Sequence, residues 1–282
     1  MAGVSVFVPN LAIEELICEQ PFEREQFAVY ADWLQAKGEP LGELIALQIA
    51  LETREDEPLR AREEKFIRER ANYLFDIVGE PPTRSDHKWL WSAREMTFAL
   101  RRGFVLAVTA RVLTNLQRND YFAAMHAPAL RLVNWATLSA TDDYSMETHA
   151  ILSESPCARS LIGLTIFGSR FDLPRGLPRL KSLTLIDDGD PDSVSETLLS
   201  PLLEQLEVLV MTIDRPAFPV IQGASGQLAH LKGISIICEF QDAEVEALRS
   251  IAGDRDFACA RDGEVRVISI GDADYVKKMQ AV

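Results

Sequence analysis

The sequence predicts an α/β fold in two parts: an N-terminal helical module over residues 1–80, followed over residues 81–282 by a short solenoid with a curved parallel sheet. Two observations support this prediction. Apolar side chains recur at helical spacing in the first third of the chain, and short apolar strands alternate with turns or helices from Arg102 onward. Pro81 and Pro82 interrupt regular structure between these regions and mark the predicted domain boundary.

The first part contains four predicted helices. Asn10 can cap a short first helix, and a second helix runs over residues 21–37, after which Gly38 can adopt a left-handed turn. A third helix begins near Pro40, and Pro58 can start a fourth. One face of the second helix is apolar at i, i+3, i+4 and i+7, through Phe27, Tyr30, Ala31 and Leu34.

The second part repeats one strand pattern, in which positions 1, 4 and 6 are apolar. This pattern is typical of a leucine-rich-repeat strand, and such strands stack in parallel because none can bury its apolar row alone. Residues 103–109 and 264–270 are predicted as entering and terminal strands, and residues 192–205 and 242–251 as helices on the convex side. The five segments start 31, 19, 26 and 25 residues apart: LRLVNWA from Leu130, LIGLTIF from Leu161, LKSLTLI from Leu180, LEVLVMT from Leu206 and LKGISII from Leu231.

The residues that flank positions 4 and 6 are expected to point to the concave side of the sheet. Their last position reads Ala136, Phe167, Ile186, Thr212 and Ile237 across the five strands. An exposed row of this kind indicates a protein-binding surface, unless a loop or the N-terminal helices cover it. The predicted partner-binding residues are Phe167, Ile186, Thr212, Ile237, Thr165 and Thr184.

One motif in the helical part is specific. The run YADWLQAKGEPLGELIALQ, residues 30–48, resembles the repeat-companion domain, a short helical module of myxobacterial and planctomycete proteins that leucine-rich-type repeats typically follow. Glu39 and Leu41 depart from the family, where Asp and Arg are usual, and the run from Arg102 to Phe104 resembles the strand that follows the module. The resemblance implies the two-part fold and no biochemical activity. The matching positions are Tyr30, Ala31, Asp32, Trp33, Leu34, Gly38, Pro40, Gly42, Glu43, Ile45, Leu47 and Gln48.

Within this motif, Asp32 beside Trp33 is interpreted as part of a helix–turn–helix clamp. Asp32 or Glu43 is expected to accept hydrogen bonds from amides of the turn, and Trp33 to fill a corner.

Composition excludes several classes of partner and site. The chain has 43 acidic and 29 basic side chains, a net charge of -14, so neither nucleic acid nor an anionic membrane is an expected partner. The N-terminus lacks the basic start of a signal peptide, and no apolar run approaches the ~20 residues of a membrane span. The four widely spaced cysteines favour reduced thiols in a cytoplasmic protein, without zinc or disulfides.

Known catalytic patterns are not found in the sequence. The four histidines are scattered, and no phosphate loop, nucleophile elbow or kinase signature occurs. The acidic loop at residues 187–192 lacks the ligand order of a calcium loop and is typical of a turn. No catalytic residue, metal or cofactor is therefore predicted, and the expected function is non-enzymatic binding of a protein partner.

Two alternatives remain open at this point. The first is an immunity or inhibitor protein that neutralises a basic toxin or nuclease, because residues 11–64 carry 14 acidic and only 5 basic side chains. Charge reversal at Glu52, Glu55, Asp56 and Glu57 would then abolish inhibition. The second is an enzyme of unrecognised type, which requires a concave pocket where titratable groups converge.

Overall fold

The computed structural model describes residues 9–54, 56–75, 83–85, 88–93, 96–126, 130–140, 142–168, 173, 176–186, 191–262 and 265–272. Over these residues the protein is a mixed α/β structure, in which helices pack on a sheet of eleven strands. The predicted boundary at residues 81 and 82 lies outside the described residues, as do residues 187–190 of the acidic loop and Glu55.

Four helices precede the sheet, as the sequence predicts: α1 (Leu11–Glu19), α2 (Arg24–Ala36), α3 (Pro40–Thr53) and α4 (Glu57–Phe75). Asn10 caps α1 by accepting a hydrogen bond from the amide of Ile13. Gly38 has a φ of 73° in the turn between α2 and α3, where a residue with a Cβ would be strained. Gly42 lets α3 approach α2 closely, since a Cβ there would lie 2.7 Å from the carbonyl oxygen of Ala31.

The sheet begins and ends with antiparallel pairs around a parallel centre. Strands β1 (Thr83–Ser85), β2 (Lys88–Ala93), β3 (Met96–Arg101) and β4 (Phe104–Val112) form an antiparallel meander. Six strands then pair in parallel in chain order: β4, β5 (Trp135–Ala140), β6 (Gly163–Phe167), β7 (Ser182–Ile186), β8 (Val208–Thr212) and β9 (Gly233–Cys238). The predicted terminal strand, β11 (Val265–Gly271), runs antiparallel to β9, and β10 (Phe257–Asp262) lies outside it.

Strands β6–β9 start in register because a carbonyl just before each preceding strand accepts the two consecutive amides at which the next strand begins. Asn134 O, for example, accepts from the amides of Ile162 at 2.9 Å and Gly163 at 3.0 Å. The same double acceptor recurs at Ile162, Lys181 and Glu207. This bond pattern holds successive repeats together even though their lengths differ.

The predicted alignment of the first repeat strand was wrong by three residues. Trp135 pairs with Gly163 and Ala136 with Leu164, so the segment equivalent to LIGLTIF begins at Val133 rather than at Leu130. An odd shift exchanges the two faces of a strand. Ala136 therefore lies in the core at 0% exposure, and Trp135 takes the outward position. Leu130, like Val133, is fully buried, so apolar spacing alone could not identify the correct start.

The described helices of the repeat region are α5 (Asn115–Met125), α6 (Asp142–Glu154), α7 (Pro191–Leu199), α8 (Phe218–Gly223) and α9 (Asp242–Ala252). The predicted helix at 192–205 is confirmed as α7 followed by a 3₁₀ turn, Pro201–Gln205, and the one at 242–251 as α9. In the parallel strands β4–β9, one sheet face is largely buried, and its residues include Leu164, Leu183, Leu209 and Ile234. These side chains belong to one core that also includes α1–α3, and Tyr30 of α2 stacks on Phe104 of β4 with ring centres 5.6 Å apart.

Candidate functional site

The face of the sheet opposite this core carries the predicted binding residues. Strand register places Phe167 beside Ile186 and Thr165 beside Thr184, and Thr212 beside Ile237. Ile186 and Thr212 lie one step beyond the pair Leu185 and Met211 in the same register. The structure therefore brings together the residues that the sequence predicted, with Ala136 replaced by Ser139 at the β5 position.

These residues are part of a longer line across the carboxyl ends of the strands, which we call the outer row. The register extends the line from Ser139 on one side of Phe167 to Val267 and Ala260 beyond Ile237. From β5 to β10 none of its members is charged, although charged residues make up 26% of the chain; beyond Ser139 the register continues to Arg111 of β4, which is exposed. At a strand spacing of about 4.8 Å, the row spans about 29 Å. Its seven members are Ser139, Phe167, Ile186, Thr212, Ile237, Val267 and Ala260.

Exposure decreases along the strands from the outer row towards their amino ends. Phe167 is 38% exposed, and Ile186, Thr212 and Ile237 are half-buried. Thr165 and Thr184, one step inward, are only 9% and 6% exposed, and the hydroxyl of Thr184 has no hydrogen-bond partner among the described residues. Any partner of this face would therefore contact the outer row, and the two threonines would lie beneath it.

Trp135 closes the opposite end of this face. Its indole lies directly on Gly163, where a Cβ would be 2.0 Å from the ring. Further along, Val208 and Val210 form a small apolar cluster with Ile237 that is separate from the main core. Trp135 was predicted on the core side because the segment was aligned from Leu130. The signal for its contact is a glycine directly opposite a tryptophan, which the correct register brings together.

The helical module is fixed to the sheet through Gln48, which contacts both parts of the protein. Its Oε1 accepts the amide of Gly103 at 2.6 Å, and its Nε2 donates to Glu63 of α4 at 2.8 Å. Glu63 also accepts the indole NH of Trp89 at 2.8 Å. Glu63 is 3% exposed and Gln48 is 4% exposed. The glutamine of the motif therefore connects α3, α4 and the meander, which is a structural role.

The clamp predicted for the motif differs in its residues. Asp32 is exposed, and Glu43 accepts a hydrogen bond from Arg62 of α4 at 2.7 Å rather than from the turn. Gln35 makes the link instead, donating to the carbonyl of Gly42 at 3.1 Å. Trp33 is half-buried and packs against Tyr30, with ring centres 5.7 Å apart.

The acidic segment after α3 is partly engaged inside the protein. Glu52 accepts hydrogen bonds from Arg101 at 2.8 Å and from Arg102 at 2.9 and 3.0 Å. Burial raises the pKa of Glu52, but the bonds and charges of these arginines outweigh it and hold the pKa below its usual value. Asp56 caps the following helix by accepting the amide of Leu59. Reversing the charge of Glu52 would thus disrupt the junction between the helical module and the sheet. A loss of inhibition by that variant would therefore not show that the acidic segment binds a basic toxin.

A buried carboxylate makes the second junction. Glu14 of α1 is 0% exposed and accepts hydrogen bonds from Tyr30 at 2.7 Å, from Arg131 at 2.7 Å and from Arg159 at 3.0 Å. Burial and the bond to Glu14 raise the pKa of Tyr30 to about 12. Both arginines belong to the repeat region, so this cluster is one ion-pair network that spans the two sequence regions.

Titratable side chains of the described residues line one cleft beside the turn between α1 and α2, among them Cys18, Glu23 and Arg179. Burial raises the pKa of Cys18, which makes its thiol a poor nucleophile at neutral pH.

Burial raises the pKa of Cys157 to about 11, and burial together with the charge of Glu244 raises that of Cys238 to about 11, so both thiols are poor nucleophiles at neutral pH. The rings of His126 and His230 contact backbone carbonyls. Within the described part of the chain, no group of three His, Cys, Asp or Glu side chains could hold a metal ion.

Comparison with known proteins identifies no relative: no family, no curated protein and no solved structure matches the chain. Among the described helices, none is both long enough and apolar enough to cross a membrane.

Proposed function

We propose that this protein is a non-enzymatic, cytoplasmic interaction protein that binds a protein partner through the outer row. The single observation that supports this most is the uncharged row itself, in which Phe167 is exposed, in an acidic chain. A large aromatic side chain surrounded by small and aliphatic ones is typical of the anchor of a protein interface.

The same proposal includes the architecture and the family. The parallel strands β4–β9, with a repeated double acceptor at the starts of β6–β9, are consistent with a short leucine-rich-type solenoid, in which the outer row lies on the concave side. The contacts of Gly42 and Gln48 give structural reasons for two residues of the repeat-companion motif, which supports that assignment.

The small area of the outer row limits how much binding free energy it can contribute. Burying an exposed phenylalanine contributes about 1.5–3 kcal/mol, and the half-buried neighbours contribute less each. A partner would therefore need contacts beyond the outer row. The loops that follow the carboxyl ends of the strands are the nearest surface that can supply them. Phe167 should nevertheless dominate the binding energy because it is the most exposed large apolar side chain of the outer row.

The test compares two phenylalanines of similar exposure on opposite faces of the sheet. Phe167→Asp alters the outer row, whereas Phe122→Asp alters α5 on the helical side, where Phe122 is 49% exposed. Tagged wild-type protein and both variants are isolated from the host, and the co-purifying chains are quantified by mass spectrometry. We expect a stoichiometric partner with the wild type and with Phe122→Asp, reduced at least about tenfold with Phe167→Asp.

Thermal unfolding of the purified variants provides the control, since both positions are exposed and all three proteins should unfold at similar temperatures. Equal capture by both variants would refute the outer row as the binding site. Absence of any stoichiometric partner under several growth conditions would refute the proposed function.

A further inference from the structure

The sheet ends in an open edge at β10. This strand pairs with β11 on one side and is the last strand in the order of the sheet over the described residues. Its central residues, Ala258, Cys259 and Ala260, are all exposed. An edge strand offers a row of backbone donors and acceptors to which another strand can add.

The hydrogen-bond alternation shows which residues face this edge. The amide of Gly271 in β11 donates to the carbonyl of Asp256 at 2.8 Å, so the backbone of Asp256 faces β11. In an antiparallel pair, the backbone N–H and C=O groups of successive residues point alternately towards the paired strand and away from it. The backbone groups of Phe257, Cys259 and Arg261 therefore point outward, while those of Ala258 and Ala260 bond to β11.

The edge has few of the features by which proteins usually block strand addition. Residues 257–262 contain no proline and no lysine, and the register with β11 is continuous, without a bulge. The exposed side chains at its centre are small and uncharged. In a chain of net charge -14, residues 257–260 carry no charge, which limits the repulsion between two copies that meet there.

We propose that β10 is a self-association edge, at which two copies of this chain pair antiparallel around a two-fold axis through Cys259. Residues whose backbone groups point outward must lie opposite each other in the two copies. The two-fold axis can therefore pass through Ala258, Cys259 or Ala260. A centre at Ala258 or at Ala260 pairs only two of the three outward-facing residues (Phe257, Cys259 and Arg261) with each other and forms about four backbone hydrogen bonds within the strand. A centre at Cys259 places all three outward-facing residues of one strand opposite those of the other copy. This arrangement forms about six backbone hydrogen bonds between the chains.

In this arrangement the side chains across the axis are compatible. Phe257, whose ring centre lies 4.4 Å from the guanidinium carbon of Arg249 in its own chain, stands opposite Arg261 of the other copy. Ala258 lies opposite Ala260, so neither pair places two like charges together. Each copy carries a net charge of -14, so added salt should strengthen the dimer by screening the repulsion between the two copies.

Dimerisation would also bring the outer rows of the two copies onto one sheet, whatever partner the outer row binds. Ala260 is the last member of the row, and it would stand beside Ala258 of the second copy. The two sheets would become continuous, and the two outer rows would lie on the same face of one larger sheet. A partner with two equivalent sites would then bind with avidity.

The first experiment measures the mass of the full chain by light scattering after size exclusion, from low to high micromolar concentration. We expect a concentration-dependent shift from 31.5 kDa to twice that mass. Cys259→Glu places two like charges directly opposite each other and should weaken dimerisation at least about tenfold, whereas Cys259→Ser should leave it unchanged.

A cross-linking experiment locates the interface. Cys18, Cys157 and Cys238 are buried, and Cys259 is exposed. In a hydrogen-bonded antiparallel pair the two Cα atoms are about 5.5 Å apart, which a disulfide can span. Treatment with diamide, which takes up the two thiol hydrogens, should give a covalent dimer in the wild type but not in Cys259→Ser.

The outcomes separate clearly. A wild type that stays monomeric at all concentrations overturns the proposal, and so does a dimer that Cys259→Glu does not weaken. Since position 259 is exposed, both variants should fold, and equal unfolding temperatures verify this. If the chain dimerises but diamide yields no covalent dimer, the register around Cys259 is refuted.

Discussion

The buried Glu14 provides the sharpest prediction about stability, because it can be compared with its neighbour Glu15. Glu14→Ala removes a fully buried carboxylate and three hydrogen bonds, and it leaves Arg131 with only 11% of its side chain exposed. Breaking a buried ion pair by removing one partner costs about 3–5 kcal/mol. Glu15→Ala removes an exposed pair with Arg179, which is worth about 0–1 kcal/mol.

The two substitutions are well matched. Both occur in the first half of α1 and replace the same residue type, so the gain in helix propensity and the loss of charge near the helix start are nearly equal. The difference between the variants therefore reports the buried network.

Urea unfolding followed by circular dichroism measures both midpoints and slopes. We expect Glu14→Ala to be less stable than Glu15→Ala by about 3 kcal/mol, a large share of the 5–15 kcal/mol that stabilises a typical domain. A difference below about 1 kcal/mol would refute the conclusion that the network holds α1 to the repeat region.

Three further predictions concern packing, pH and thiol reactivity. Gly163→Ala should destabilise the protein by about 1–3 kcal/mol in the same urea assay, because the new methyl group meets the Trp135 ring, whereas Gly226→Ala, which has open space around it, should change stability little. Stability should fall as the pH rises from 10 towards 12, since the unfolded chain loses the Tyr30 proton first; Tyr30→Phe should flatten this slope, and an unchanged slope would contradict the assignment. Of four thiols, a colourless aromatic disulfide reagent should titrate Cys259 alone in the native protein and all four after unfolding; a second fast-reacting native thiol would contradict the burial of the others.

Local sequence patterns predicted the elements of the helical module well. The cap at Asn10, the turn at Gly38 and the start at Pro40 are short-range effects, set by residues within one helical turn. The positions of the repeat strands after β5 were also predictable, because each combines an apolar alternation with a flanking turn.

Strand register and partners could not be predicted in the same way. Leu130 and Val133 are equally buried, so the pattern accommodated two starts for β5, and only the pairing of Trp135 with Gly163 distinguishes them. The turn between β3 and β4 does carry a local signal, since Arg102 and Gly103 both have positive φ in a two-residue hairpin. The direction of β11 depends instead on long-range hydrogen bonds to β9.

The candidate site shows the same division. Phe167, Ile186, Thr212 and Ile237 were placed on one face from their strand positions alone, because side chains alternate with a period of two. The burial of Thr165 and Thr184, and the extension of the row to Val267, became visible only when the strands were paired.

The sequence by itself determined the helical module, the series of short strands and the face on which the predicted binding residues lie, since these follow from local periodicity. The tertiary structure decided how the two parts are joined and what each charge does. Glu14 contacts Arg131 and Arg159, more than a hundred residues away, and Gln48 contacts Gly103. Such contacts form only when the chain has folded, because burial and pairing of polar groups depend on which distant segments exclude water around them.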